Sequence, residues 1–187
     1  VYARLWNPTV ARFEEALAEL EHAETAVAFS SGMAAISSAL RVLATPGTTL
    51  VVPADGYYQV RRYAAEYLAA RGVTVIEATA AQMYDAAAGA DVVLAESPVN
   101  PTLDVVDLHR LSTICRSRGA TLMVDNTAAT PLGQRPLSLG ADLVVASATK
   151  GLSGHSDLLA GFEAWRSACR RLKADPIWGA TCAAAEI

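Results

Sequence analysis

Residues 119–150 read GATLMVDNTAATPLGQRPLSLGADLVVASATK. Two aliphatic runs stand in this stretch, Ala120-Thr121-Leu122-Met123-Val124 and Asp142-Leu143-Val144-Val145-Ala146. Each stops at a polar cluster, Asp125-Asn126-Thr127 after the first and Ser147-Ala148-Thr149-Lys150 after the second. Runs this apolar, without alternation, suit strands covered on both faces, because neither face then meets water. The pattern therefore predicts a buried, mostly parallel sheet.

The same texture extends upstream through Asp91-Val92-Val93-Leu94-Ala95, Val73-Thr74-Val75-Ile76, Thr49-Leu50-Val51-Val52-Pro53 and the shorter Ala26-Val27-Ala28-Phe29-Ser30. Helical periods lie between the runs. Val10, Phe13, Leu17 and Leu20 follow Asn7-Pro8-Thr9 and predict an amphipathic helix over 10–22 with Thr9 as its cap; Met33, Ile36, Leu40 and Leu43 repeat the spacing. Stretches 58–71 and 107–118 end before Gly72 and Gly119, which suit left-handed helix ends. Strand alternating with helix gives an α/β fold, a three-layer αβα doubly wound sheet. After Gly161 the texture changes: Phe162-Glu163-Ala164-Trp165 reads as helix, and 162–187 is expected to be an atypical tail beyond a domain spanning 1–161.

Composition narrows the function. Hydrophobic residues make up 52% and charged residues 18%, which excludes a disordered chain. The net charge of −4, with basic residues in short groups such as Arg61-Arg62, gives no stripe for nucleic acid. No apolar run approaches the ~18 residues of a membrane span. Cysteines Cys115, Cys169 and Cys182 and histidines His22, His109 and His155 are dispersed without a metal-ligand rhythm, so a reducing cytoplasm and no structural metal are expected.

Ligands of open α/β sheets gather beyond the carboxyl ends of the parallel strands. Polar clusters occupy that position after Phe29 (Ser30-Ser31-Gly32-Met33), after Ala95 (Glu96-Ser97-Pro98-Val99-Asn100-Pro101), after Val124 and after Ala146, and together they are expected to ring one crevice. Ser31-Gly32-Met33 at a helix start offers backbone N–H groups to a phosphate, or is a plain helix cap. Asp125 needs a cation or several donors, such as a pyridinium nitrogen, or else caps a turn. Lys150, between hydroxyls at Ser147 and Thr149 and the flexible Gly151-Leu152-Ser153-Gly154, is a nucleophilic amine beside a phosphate, or a solvated surface lysine. Tyr57, after Pro53-Ala54-Asp55-Gly56, covers a planar ligand or packs in the core. His155-Ser156-Asp157 are too close in sequence to form a hydrolase triad, and neither a Walker loop nor a G-x-G-x-x-G fingerprint is present.

Read in order, the motifs resemble the Cys/Met-metabolism family of fold-type-I enzymes that use pyridoxal 5'-phosphate (PLP), which includes cystathionine γ-synthase, cystathionine γ-lyase and methionine γ-lyase. They are Tyr2-x-Arg4 with Asn7-Pro8-Thr9, Ser30-Ser31-Gly32-Met33-Ala34-Ala35, Asp55-x-Tyr57, Glu96-Ser97-Pro98-x-Asn100-Pro101, Val124-Asp125-Asn126-Thr127, and Ser147-Ala148-Thr149-Lys150 leading to Gly154-His155-Ser156-Asp157. The resemblance covers residues 2–161. It implies that Lys150 carries PLP as an imine, Asp125 pairs with the pyridine nitrogen, Asn100 lies near the ring hydroxyl, and Tyr57 stacks on the ring and assists elimination. It further implies that Gly32, Met33, Ser147 and Thr149 bind phosphate, that Thr127 packs beside the ring, and that Tyr2 and Arg4 reach the phosphate of a neighbouring subunit in a homodimer or homotetramer.

The chemistry so implied is elimination or replacement at the β or γ carbon of a sulfur-containing or O-acylated amino acid. The sequence departs from the family at Tyr58-Gln59-Val60, where small residues usually follow the stacking tyrosine, and at Gly151, which replaces a bulkier residue. The N-terminal arm and small C-terminal domain of the family have no counterpart in the sequence, so a truncated large domain is expected. Phe162-Glu163-Ala164-Trp165 looks like a helix that the family places further on. The alternative is an inactive fragment that serves at most in binding or oligomerisation; a nucleotide-binding domain is the remote third reading.

Overall fold

A computed structural model describes residues 7–166. Its centre is a seven-stranded sheet in the order β1-β7-β6-β5-β4-β2-β3. The strands are β1 (Thr25–Phe29), β2 (Thr49–Pro53), β3 (Thr74–Ala78), β4 (Val92–Glu96), β5 (Thr121–Asp125), β6 (Leu143–Ala146) and β7 (Gly161–Trp165). From β3 through β6 every pairing is parallel, and β7 runs antiparallel to both β6 and β1. The expected α/β, mostly parallel architecture is therefore what the chain adopts.

Alternation along the strands divides the core into two layers. Leu50, Val52, Val92, Leu94, Met123, Leu143 and Val145 pack against helices α2 (Gly32–Leu43) and α3 (Tyr58–Tyr63), the latter continuing through a π turn (Ala64–Leu68) and a 3-10 turn (Ala69–Arg71). Val51, Val93, Ala95, Leu122, Val124, Val144 and Ala146 pack on the other face against α1 (Pro8–Glu21), α4 (Met83–Ala87) and α5 (Leu108–Arg118). A short helix, α6 (Thr130–Gly133), follows β5.

The helix ends follow from local sequence. Asn7, not the expected Thr9, caps α1: its Oδ1 accepts from Thr9 N at 2.9 Å and Val10 N at 3.4 Å, and Pro8 fills the first helical position, where no N–H is needed. Asp107 Oδ1 accepts from Arg110 N at 2.9 Å at the start of α5. Gly72 and Gly119 close the helical stretches with φ of 85° and 69°.

Residues 162–165, expected as helix, are strand instead. β7 lies between β1 and β6, with Glu163 opposite Val27 on one side and Val145 on the other. Phe162 and Trp165 are almost wholly buried on opposite faces, which outweighs the helical preference of Glu-Ala-Trp. The sheet thus continues past residue 161. The tail beyond 166, with Cys169 and Cys182, lies outside the described residues.

Candidate active site

β1, β2, β4, β5 and β6 all end at one edge of the sheet, and the turns after them converge there. Successive residues alternate faces, so Glu96, Asp125 and Ser147 continue the α2 side while Asn126 continues the α1 side.

Thr127 joins two of the turns. Its Oγ1 donates to Asp125 Oδ1 at 2.6 Å and accepts from Ser147 N at 2.8 Å, while its N–H donates to the same Asp125 oxygen at 3.0 Å. The third turn abuts them. A Cβ built on Gly32 would lie 2.8 Å from Ser147 Cβ, so only glycine lets the start of α2 come this close. Ser31 caps α2 by accepting from Ala34 N at 3.1 Å, and the Gly32 and Met33 N–H groups ahead of it have no intrahelical acceptor.

Asp125 is 7% exposed. Burial pushes its carboxyl above the usual range, and the two Thr127 bonds pull it part of the way back. No donor among the described residues reaches its Oδ2, and no lysine or arginine among them pairs with it. A buried acid of this kind fits a cationic ligand atom, as a protonated ring nitrogen would be. Together with the helix start beside Ser147, the donor set fits a planar cofactor with a cationic ring and an anionic phosphate.

The remaining expected residues vary in how they meet this crevice. Lys150 is exposed on the turn after β6, and no described residue pairs with its amine. Tyr57 is 37% exposed, so it is not a core tyrosine; its ring meets that of Tyr58 edge-on at 5.4 Å. Asn100 is exposed above the end of β4. Thr149 is differently used: its Oγ1 donates to Ala160 O at 3.0 Å and accepts from Ala160 N at 2.9 Å, which spends the hydroxyl proton on the approach to β7. Tyr2 and Arg4 lie outside the described residues.

Sequence reading gave no role to Glu96, although it accepts from both Tyr57 N and Asn100 N. It also missed the network below Asp125. Asn126 Nδ2 donates to Gln134 O at 2.9 Å and to Glu21 Oε1 at 3.4 Å, and Gln134 Nε2 donates to Asn126 Oδ1 at 3.1 Å and Ser97 O at 2.9 Å. Glu21 is fully buried, and burial lifts its carboxyl to about 7 against the pull of Asn126 and Arg135.

The seven-stranded, mostly parallel sheet with its crevice at the carboxyl edge defines the class as an open α/β fold. Residues 1–179 match the Cys/Met metabolism PLP-dependent enzyme family, and the chain belongs to that family, whose cofactor is PLP. It is 46% identical to an L-methionine gamma-lyase of Streptomyces avermitilis over 86% of this chain and 38% of that protein. An L-methionine gamma-lyase of Brevibacterium aurantiacum is 42% identical over 93% and 43%. The solved cystathionine gamma synthase of Xanthomonas oryzae pv. oryzae in complex with cystathionine superposes with a TM-score of 0.83 at 35% identity, over 98% of this chain and 46% of that one. The chain spans less than half the length of these relatives.

Proposed function

We propose that this chain is the cofactor-binding large domain of a PLP-dependent carbon-sulfur lyase or γ-synthase. The amino-acid substrate is of the cystathionine, cysteine, methionine or O-acyl-homoserine kind. The observation that carries the reading is Thr127 Oγ1, which ties the Asp125 carboxylate to the Ser147 turn and so sets a ring-nitrogen acceptor and a phosphate seat in one rigid unit.

In this reading Gly32, Met33 and Ser147 hold the phosphate. Thr149 joins them only if its hydroxyl leaves Ala160. Asp125 holds the charge of the ring nitrogen, Thr127 fixes that carboxylate and flanks the ring, Tyr57 covers the ring and Asn100 meets its hydroxyl. Bound PLP supplies an electron sink for carbanion chemistry. Lys150 anchors the cofactor and its amine moves the substrate's α proton, while the Tyr57 hydroxyl assists the leaving group. Tyr58, exposed against Tyr57, lines the substrate side where the family usually has small residues.

Tyr2 and Arg4 are assigned to the phosphate of a second copy, which makes a homodimer or homotetramer the working unit. Exposed Leu132, Leu158 and Leu159 support burial against another surface. Among the described residues no helix is long and apolar enough to cross a membrane, and the free Cys115 is buried. The dispersed cysteines of the sequence, without the spacing of a disulfide framework, support a cytoplasmic enzyme.

The test is an absorbance spectrum of purified chain mixed with PLP, then borohydride reduction and peptide mapping. A reduced adduct on Lys150 is expected, and no adduct sinks the reading. Keto-acid or thiol release from cystathionine or methionine separates an enzyme from an inactive module.

A further inference from the structure

Glu96 ends β4, and its register partner on β5 is Asp125. Partners on parallel strands project to the same face, so two buried carboxyl groups stand side by side at the sheet edge. Glu96 is 6% exposed, and no lysine or arginine among the described residues pairs with it. Its oxygens serve two different loops. Oε2 accepts from Tyr57 N at 2.8 Å, in the loop after β2, and Oε1 accepts from Asn100 N at 2.9 Å, in the loop after β4. A Cβ at Gly56 would overlap Oε2, so the β2 loop is shaped around this carboxylate.

A carboxylate placed here works against its surroundings. Burial raises it, as do the neighbouring charges of Asp125 and Asp55, and the two backbone N–H groups are what hold it down. Desolvating a carboxyl beside two others is costly, yet an ionised carboxylate is what offers an acceptor oxygen to each of the two loops at once.

We infer that Glu96 is a positioning residue for the cofactor: one carboxylate fixes Tyr57 and Asn100 relative to each other and to Asp125, the three groups assigned to the ring. Its two oxygens make the spacing of the ring's cover, its hydroxyl partner and its nitrogen partner a property of a single side chain. A glutamine keeps one acceptor but turns an NH2 toward the other N–H, so Glu96→Gln frees one loop, and Glu96→Ala frees both. The inference rests on the PLP reading above.

The experiment compares the full chain with Glu96→Gln, Glu96→Ala and Gly56→Ala. Hydrogen exchange without PLP is expected to show faster exchange at Tyr57 and Asn100 in Glu96→Ala, and at Tyr57 in Gly56→Ala; wild-type protection in both overturns the link between the loops. Titration with PLP is expected to show apparent Kd raised about tenfold in Glu96→Gln, the size of one lost charge-assisted bond. Its absorption band shifts, while borohydride still traps the adduct on Lys150. A folded Glu96→Gln with the wild-type band and Kd makes Glu96 merely structural and overturns the inference. If the wild-type chain takes up no PLP, the functional reading fails and the cofactor role of Glu96 falls with it, and the exchange data then decide separately whether Glu96 joins the loops.

Discussion

Ser147 donates its backbone N–H to Thr127 Oγ1 at 2.8 Å, tying the turn after β6 to the turn after β5. The same hydroxyl donates to Asp125, so one side chain satisfies a donor and an acceptor at once. Thr127→Val keeps the shape and removes both bonds. It is expected to lower stability by about 1–3 kcal/mol, the cost of leaving buried groups unpaired, measured by urea unfolding. PLP uptake falls as well, because Asp125 and Ser147 no longer share a support.

Asp125→Asn is expected to separate stability from function. Burial already disfavours the Asp125 charge, and an amide keeps the acceptor for Thr127. Without PLP the variant unfolds at higher urea than wild type at pH 8, a gain of about 1 kcal/mol. With PLP, affinity drops at least about tenfold under the proposed pairing of Asp125 with the ring nitrogen, whose counter-charge the amide removes.

Glu21 gives the fold a pH dependence near neutrality. Folding raises its carboxyl from 4.5 to about 7, so the folded state holds a proton that the unfolded chain has lost. The stability it contributes is fully present below 4.5 and is lost as pH rises through about 7. Arg135 favours the ionised form and limits the loss. Glu21→Gln flattens the urea midpoint of the chain across this window; an unchanged slope removes Glu21 as its source.

Glu163 acts in the same direction. Both of its oxygens are buried without a hydrogen-bond partner, and burial, the largest influence on it, holds the carboxyl well above 4.5. Stability from this group is present below 4.5 and is lost as pH rises toward the folded value. Glu163→Val matches its neighbours Val27 and Val145 and is expected to stabilise the chain at pH 8 by about 1–4 kcal/mol, measured by thermal unfolding.

Much of this architecture is legible in the sequence. The aliphatic runs ending at Asp125 and Ser147 mark central strands, and Gly72 and Gly119 mark helix ends, because burial on both faces and left-handed caps leave local signatures. β7 is not legible. Glu163, Ala164 and Trp165 favour helix locally, and only the slot between β1 and β6 makes them strand. Clustering of Asp125, Thr127, Ser147 and Gly32 follows from their shared place after strands. The part played by Glu96 does not, because its partners are backbone N–H groups of Tyr57 and Asn100, and a backbone donor has no letter of its own. Thr149 shows the converse: its hydroxyl suits a phosphate by type, yet the fold uses it on Ala160.

β1 meets the sheet through β7 alone, and β7 is the last strand of the described chain. Ser31, Gly32 and Met33 follow directly from β1. A chain emerging from the ribosome therefore makes this turn early but cannot dock β1 until Trp165 has cleared the exit tunnel. Until then β1 waits beside an empty slot, exposed to whatever chaperone or stray strand edge reaches it first.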